Sequence, residues 1–291
     1  MNRFLERLGT GAVLVADGAT GTNLQKVGLG AGMHAEDWVL DCPDKILDLE
    51  RAFVAAGSDI ILTCTFGATR PRMKGAVHAD RVPEINTRAA ELARQAAQGR
   101  KGLIVGGSMG PLGQILKPYG PMSPDDARTA FVEQAQALAH GGVDLLVIET
   151  QFSFEEATVA FDAARSVTDL PIVVSFSYDR GVRTMMGARP IDVVKRYKDM
   201  GAAMVGANCG TTLENMESII KEYAAAEPGF ALWAKPNAGM PRLQDGRTFY
   251  DVTPDEMAAS AQNYVELGAR VVGGCCGSTP DHVAAIARAV K

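Results

Sequence analysis

Three cysteines fall where short apolar segments end, and their grouping indicates a metal site. Cys275 and Cys276 are adjacent within "GGCCG", and Cys209 closes "VGANC". Adjacent side chains on a regular strand point to opposite faces, so both thiols can face one ion only where glycine lets the backbone leave the strand. Three soft sulfur ligands and no fourth protein ligand indicate Zn²⁺ with one open coordination position, which is typical of a catalytic site.

The predicted zinc site suggests a particular kind of chemistry. Thiolate ligands make zinc electron-rich, so it activates water poorly but is well suited to bind a substrate thiol. Coordination lets that thiol ionise near neutral pH, and the thiolate is the nucleophile. A free thiol has a pKa near ~8.5 and is mostly protonated at pH 7. The sequence therefore predicts attack of a substrate thiolate on a soft electrophile such as a methyl group.

Other polar residues at the ends of apolar segments complete the candidate site. We expect the carboxylates of Asp17 and Glu149 to hold a substrate ammonium group. Backbone N–H groups of the glycine-rich turn at Gly18 and Ala19 are predicted to receive a carboxylate. Asn208 is predicted to contact the substrate as well. Together these groups predict a substrate that is an amino acid bearing a thiol.

A repeated unit must position these residues. Each copy is a helix end, a glycine, a short apolar strand and then small or polar residues. The copies are "AAGSDIILTCTF" at 55–66, "HGGVDLLVIETQ" at 140–151, "DMGAAMVGANCG" at 199–210 and "ELGARVVGGCCG" at 266–277. Four further apolar strands fall at 12–17, 102–108, 171–177 and 231–237. Eight buried strands alternating with helices predict an α/β fold, a (β/α)₈ TIM barrel forming a single domain over residues 1–291.

The barrel prediction brings the polar residues together. The carboxyl ends of all eight strands meet at one rim, where barrel enzymes build their active sites. The strand-end residues are Asp17, Thr63, Ser108, Glu149, Ser175, Asn208 with Cys209, Asn237, and Cys275 with Cys276. Any one of them is equally well explained as a satisfied strand-end group, but the coincidence over eight strands favours a site. The long segments 66–82 and 109–123 are predicted to be loops over this rim.

The remaining metal-binding residue types are interpreted as structural. None of the four histidines ends a strand, so all are predicted to be surface or capping residues. Cys42 is interpreted as incidental. Because adjacent strand residues point to opposite faces, Cys64 is predicted to point away from the face of Thr63 and Thr65 and to pack in the protein interior. A role as a fourth zinc ligand is the open alternative.

Composition narrows the classes of partner. The net charge is 29 − 34 = −5, which gives no basic surface for nucleic acid or an anionic membrane. The segment "MNRFLERLGTG" lacks the apolar region of a secretory signal, and no apolar run approaches membrane-spanning length. Five cysteines, an odd number in a chain of this length, indicate reduced thiols. We therefore expect a cytoplasmic protein with no nucleic-acid or membrane partner.

The motifs, taken in order, resemble one family. They are "ADGATGTNL", "GSDIILTCTFGATR", "GGSMGPLGQ", "VIET", "RTMMG", "GANCG", "KPNAG" and "GGCCGSTPDH". They are similar to the homocysteine S-methyltransferases, which include the homocysteine-binding module of cobalamin-dependent methionine synthase and the betaine–homocysteine methyltransferases. The resemblance implies a zinc-bearing barrel that methylates homocysteine to methionine. It also implies that Cys209, Cys275 and Cys276 are zinc ligands and that Asp17 and Glu149 are homocysteine-binding acids.

The resemblance leaves the methyl donor open. Thr150 and Gly67 stand where the animal betaine enzymes have tyrosines, and Cys64 replaces an asparagine of the family. The expected donor is a small onium compound of the betaine or S-methylmethionine type. The alternative is a homocysteine-activating subunit that takes its methyl group from a separate methylcorrinoid protein. A non-catalytic thiol- or metal-binding protein is the alternative of another class. A Rossmann dehydrogenase is disfavoured because "DGATGTN" lacks the GxGxxG spacing.

Overall fold

Eight parallel strands form the barrel that the sequence predicts. The computed structural model describes residues 2–30, 32–244 and 247–291. The barrel strands are β1 Leu14–Val15, β2 Ile60–Leu62, β3 Ile104–Met109, β4 Leu145–Gln151, β5 Ile172–Phe176, β6 Met204–Cys209, β7 Leu232–Pro236 and β10 Ala269–Val272. Their hydrogen-bonded order is β1-β10-β7-β6-β5-β4-β3-β2, and a parallel bridge between Ala16 and Ile60 joins the two ends. The single-domain TIM barrel is confirmed.

Helices alternate with the strands around the outside. They are α1 Arg3–Gly9, α2 Gly21–Lys26, α3 Trp38–Asp41, α4 Pro43–Ala55, α5 Val82–Ala96, α6 Pro124–His140, α7 Phe154–Arg165, α8 Pro190–Asp199, α9 Leu213–Ala226, α10 Pro254–Glu266 and α11 Pro280–Val290. A 3₁₀ turn at Ala35–Asp37 precedes α3. Two of these helices begin with side-chain caps: Ser123 accepts from the Asp126 N–H, and Thr253 forms a capping box with Glu256. These caps fix where α6 and α10 begin, and so fix the lengths of the loops before them.

Alternation along the strands decides which side chains reach the barrel axis. Trp233 and Val147 belong to the inner apolar cluster, together with Phe4 of α1. Because successive strand residues face opposite sides, Lys235 and Glu149, two positions further along, also face inward. The apolar lower barrel thus ends in charged residues at its carboxyl rim.

A glycine allows two of the site-bearing strands to approach closely. A Cβ at Gly206 of β6 would lie 2.0 Å from the carbonyl oxygen of Trp233 on β7. Any side chain at this position would push the two strands apart. Gly206 therefore maintains the spacing between β6 and β7, from which Asn208 and Lys235 project.

The loop after β7 contains an element that the sequence patterns did not predict. Strands β8 Arg242–Gln244 and β9 Arg247–Phe249 pair antiparallel as a separate hairpin. Leu243 and Phe249 are exposed on it. Among the described residues, no helix combines the length and apolar character needed to cross a membrane.

Candidate active site

The three predicted cysteine ligands meet at the carboxyl rim of the barrel. The sulfur atoms of Cys209, Cys275 and Cys276 all lie within 4.8 Å of one another. Cys209 adopts a left-handed backbone with φ of 56°, a strained conformation for a residue with a side chain. Strand β10 ends at Val272, three residues before the first thiol of the pair, so Cys275 and Cys276 lie outside the pleated ladder. This is how adjacent thiols come to face the same point.

The pKa values of the three clustered thiols bear on whether the cluster suits a cation. Hydrogen bonds from Cys209 and then Cys275 lower the pKa of Cys276 to about 3. The pKa of Cys209 is raised well above its usual range, first by its hydrogen bond with Cys275, then by that with Cys276 and by burial. Ionisation of one thiol therefore opposes ionisation of its neighbours, and a cation bound among the three sulfurs would favour their thiolate forms. Three sulfur donors suit Zn²⁺, so the residues present fit this ion.

Asn208 lies beneath the thiols and is fully buried. Its Oδ1 accepts from the Thr150 N–H at 2.9 Å and from Ser175 Oγ at 2.6 Å. Its Nδ2 donates to Thr150 Oγ1 at 2.7 Å and lies 3.5 Å from Cys209 Sγ and 3.7 Å from Cys275 Sγ. Both ends of the Asn208 amide are therefore engaged within the protein, and the contact with substrate stays a prediction. The distances to the two sulfur atoms place the amide where it can orient them.

Replacing Asn208 by leucine is expected to weaken zinc binding by about 10- to 100-fold, the usual effect of losing a partner that orients metal ligands. Leucine has the same branching at Cγ as asparagine but lacks the donor to both sulfur atoms. Zinc affinity measured by competition with a chelator checks this, with Asn263→Leu on the exposed face of α10 as the matched control. An affinity equal to that of the control would show that Asn208 has no such role.

A cavity of about 300 Å³ opens beside the thiols. Its lining includes Gly18, Ala19, Thr63, Cys64, Phe66, Ser108, Glu149, Thr150, Lys235 and the three clustered cysteines. Phe66 is the only aromatic residue among the described residues that line it, and the Arg72 guanidinium lies 5.2 Å from the centroid of that ring. The volume suits a small amino acid.

Glu149 presents a carboxyl group to this cavity. The group is 7% exposed and accepts a hydrogen bond from Ser108 Oγ. Burial raises the pKa of Glu149 to about 7, Lys235 opposes the rise, and Cys275 adds to it. A cationic group arriving from the cavity would restore the ionised form. The position therefore suits the predicted ammonium contact.

Asp17, which was predicted to hold the substrate ammonium, has two partners within the protein. Its Oδ1 accepts from Lys235 Nζ at 2.6 Å, and its Oδ2 accepts from the Leu62 N–H at 2.7 Å. Lys235 was overlooked in the sequence, where Asn237 was taken as the polar residue that ends β7. The available signal was its spacing of two from the apolar Trp233, which assigns both side chains to the barrel interior.

The glycine-rich turn after β1 packs tightly against the loop before α11. The Ala19 N–H, which was predicted to receive the substrate carboxylate, donates to Ser278 Oγ at 3.1 Å. A Cβ at Gly18 would lie 2.8 Å from Phe53 and from Ser278 Oγ, so only glycine fits there. Both residues line the cavity, and Gly18 remains the better candidate for a backbone contact with substrate.

Cys64 and the histidines stand apart from the sulfur cluster. Cys64 is 4% exposed, its Sγ lies 3.6 Å from the Ala35 carbonyl oxygen, and burial raises its pKa well above the usual range. In the described part of the chain, the only metal-binding group that forms contains Cys209, Cys275 and Cys276, which supports packing for Cys64. His282 caps α11, as predicted, through Nδ1 and Thr279.

Comparisons with known proteins agree with this geometry. The family model described as homocysteine S-methyltransferase matches residues 14–290. Methionine synthases of Mycobacterium leprae and Mycobacterium tuberculosis are 29% and 28% identical over 295 residues, which cover 96% of this chain. The same stretch is 24% of each of those proteins, so the chain spans about a quarter of their length.

Solved structures with the same fold include methyltransferases. The homocysteine methyltransferase MmuM from Escherichia coli, in its metallated form, superposes with a TM-score of 0.83 at 23% identity and covers 99% of both chains. A methyltransferase from Methanosarcina mazei superposes with a TM-score of 0.62 at 16% identity, covering 99% of this chain and 96% of that one. At these identities the likeness establishes the fold.

Proposed function

The chain belongs to the homocysteine S-methyltransferase family, and from that premise we propose that it methylates homocysteine to methionine. The observation on which the proposal depends is the meeting of three cysteine sulfurs with a cavity that contains Glu149. In the reaction the homocysteine sulfur loses its proton and gains the methyl group, and the donor leaves with the electron pair of its broken bond. Residues 1–291 would act together as the homocysteine-binding domain, and a cytoplasmic location stays a prediction.

The roles proposed for the site follow from the positions of its residues. Cys209, Cys275 and Cys276 would hold Zn²⁺. When bound, such an ion would lower the pKa of the homocysteine thiol so that it reacts as a thiolate at neutral pH. Glu149, fixed by Ser108, would hold the substrate ammonium. Gly18 lines the same cavity, where its backbone N–H is proposed to face the substrate carboxylate.

The methyl donor has two candidates. The donor predicted from the sequence is a small onium compound of the betaine or S-methylmethionine type. A cationic methyl donor, whether the quaternary ammonium of betaine or the sulfonium of S-methylmethionine, is favourably bound by aromatic faces, whereas the described lining offers Phe66 alone, with the Arg72 guanidinium already near that ring. This observation, together with the identity to methionine synthases, favours the second candidate, a methylcorrinoid on a separate protein.

Assaying methionine formation by the zinc-loaded protein with each donor in turn separates the candidates. We expect turnover with methylcobalamin and little with glycine betaine or S-methylmethionine. Turnover with glycine betaine or S-methylmethionine, and none with methylcobalamin, would instead identify an onium compound as the donor.

A change at the metal that depends on the substrate thiol distinguishes a methyltransferase, whichever donor it uses, from a non-catalytic thiol- or metal-binding protein. Homocysteine should alter the visible spectrum of the Co²⁺-substituted protein, and homoserine, which lacks the thiol, should not. A spectrum that ignores homocysteine would contradict the proposed function.

A further inference from the structure

Lys235 occupies the centre of the site although it binds no metal in the proposed scheme. Strand β7 lies between β6, which contains Cys209, and β10, which leads to Cys275. Lys235 is in register with Asn208 on β6 and is only 2% exposed. A buried lysine is stable only when its charge is matched. Its position between the two cysteine-bearing strands therefore calls for a specific partner.

Asp17 supplies that partner. Lys235 Nζ lies 2.6 Å from Asp17 Oδ1, and both side chains are almost completely buried. Burial alone would lower the pKa of Lys235, but the charges of Asp17 and then Glu149 outweigh burial and raise it. The lysine is therefore an ammonium ion at neutral pH, and one oxygen of Asp17 is committed to it. The other oxygen of Asp17 accepts the Leu62 N–H.

The two carboxylates consequently differ in what they can offer a substrate. Of the described residues, Glu149 and Lys235 line the cavity but Asp17 does not. Both oxygens of Asp17 already have partners, one of them a full positive charge. Glu149 accepts a hydrogen bond from the neutral Ser108 hydroxyl, so a substrate ammonium that reaches the cavity can still pair with the ionised form of its carboxyl group.

We propose that Lys235 is a positioning residue that neutralises Asp17, so that Glu149 is the carboxylate that binds the substrate ammonium. The inference rests on the proposed function, because it assumes that the substrate is an amino acid. It assigns Asp17 an indirect role, in contrast to the direct contact expected from the family resemblance.

A double-mutant cycle on the pair tests the assignment. Asp17→Asn and Lys235→Met should each raise the KM for homocysteine by about 10-fold or more, because each leaves a buried charge without its partner. The double variant Asp17→Asn/Lys235→Met removes both charges and should return KM to within about threefold of the wild type, with kcat changed less than KM. Lys198→Met/Glu227→Gln, an exposed ion pair, is the control and should change neither parameter.

A different result in the double variant would overturn the proposed role of Lys235. If Asp17 contacts the ammonium directly, the double variant will bind homocysteine as poorly as Asp17→Asn, which overturns the role of Lys235. If a single variant fails to fold, comparing the KM for homocysteine of the double variant with that of the wild type still tests the role of Lys235. Homocysteine binding by the wild type, measured by calorimetry, separates the two failures: no binding overturns the proposed function, whereas normal binding with an inactive double variant overturns only the inference.

Discussion

Replacing Cys275 by alanine is expected to abolish zinc retention and to lower methyl transfer by about 10³-fold or more. Stabilising charge with a metal ion contributes several kcal/mol to a reaction, and ~4 kcal/mol corresponds to about a thousandfold in rate. The fold should persist, because the cysteines lie at the rim while the strands pack around the separate apolar cluster that contains Trp233. Zinc content by elemental analysis, activity and circular dichroism of the same preparation check the three parts of the expectation.

Cys42→Ala is the matched control for this loss. Cys42 is a half-buried thiol at the start of α4, outside the sulfur cluster, so its removal should leave zinc content and activity unchanged. Unfolding of the Cys275→Ala protein would mean that the metal is structural. Full zinc retention would mean that the three sulfurs do not form the metal site.

The sequence was sufficient to predict that the three cysteines meet, because local chemistry and global topology agreed. The glycine before each short apolar strand gave the phase of the repeat, and that phase assigned Cys209 and Cys275 to strand ends. In a closed barrel the carboxyl ends of all strands lie at one rim. Once eight βα units were recognised, residues far apart in the chain could therefore be predicted to lie close together. The same logic assigned Glu149 to the cavity.

The partners of the polar groups were not predictable in the same way. Whether Asp17 is free or paired depends on the side chain opposite it across the barrel, and Lys235 is 218 positions away in the chain. The engagement of Asn208 likewise depends on Thr150 and Ser175, which come from two other strands. Strand periodicity predicts which way a side chain points but does not identify what it meets. The hairpin after β7 was missed because three-residue strands leave almost no periodic signal.

Replacing Glu149 by glutamine is expected to raise the KM for homocysteine by about 10- to 100-fold, with a smaller change in kcat. A hydrogen bond to a charged group contributes roughly 1.5–3 kcal/mol, which corresponds to that range. Glutamine keeps the shape and the acceptor for Ser108 but removes the charge that would hold the ammonium. Because burial raises the pKa of Glu149 to about 7, the difference from wild type should be largest above pH 7. Below pH 7 the wild-type side chain is also neutral, so the two KM values should converge.

Glu156→Gln separates this effect from the general cost of changing a buried acid. Glu156 on α7 is 2% exposed, and burial raises its pKa to about 7, as at Glu149. Its Oε1 accepts from the Leu112 N–H at 2.6 Å, and it does not line the described part of the cavity. Its replacement should therefore leave the KM for homocysteine unchanged at every pH. If both variants raised the KM for homocysteine equally, the cause would be disturbed packing around a buried acid. An unchanged KM in Glu149→Gln would show that Glu149 does not bind the substrate ammonium.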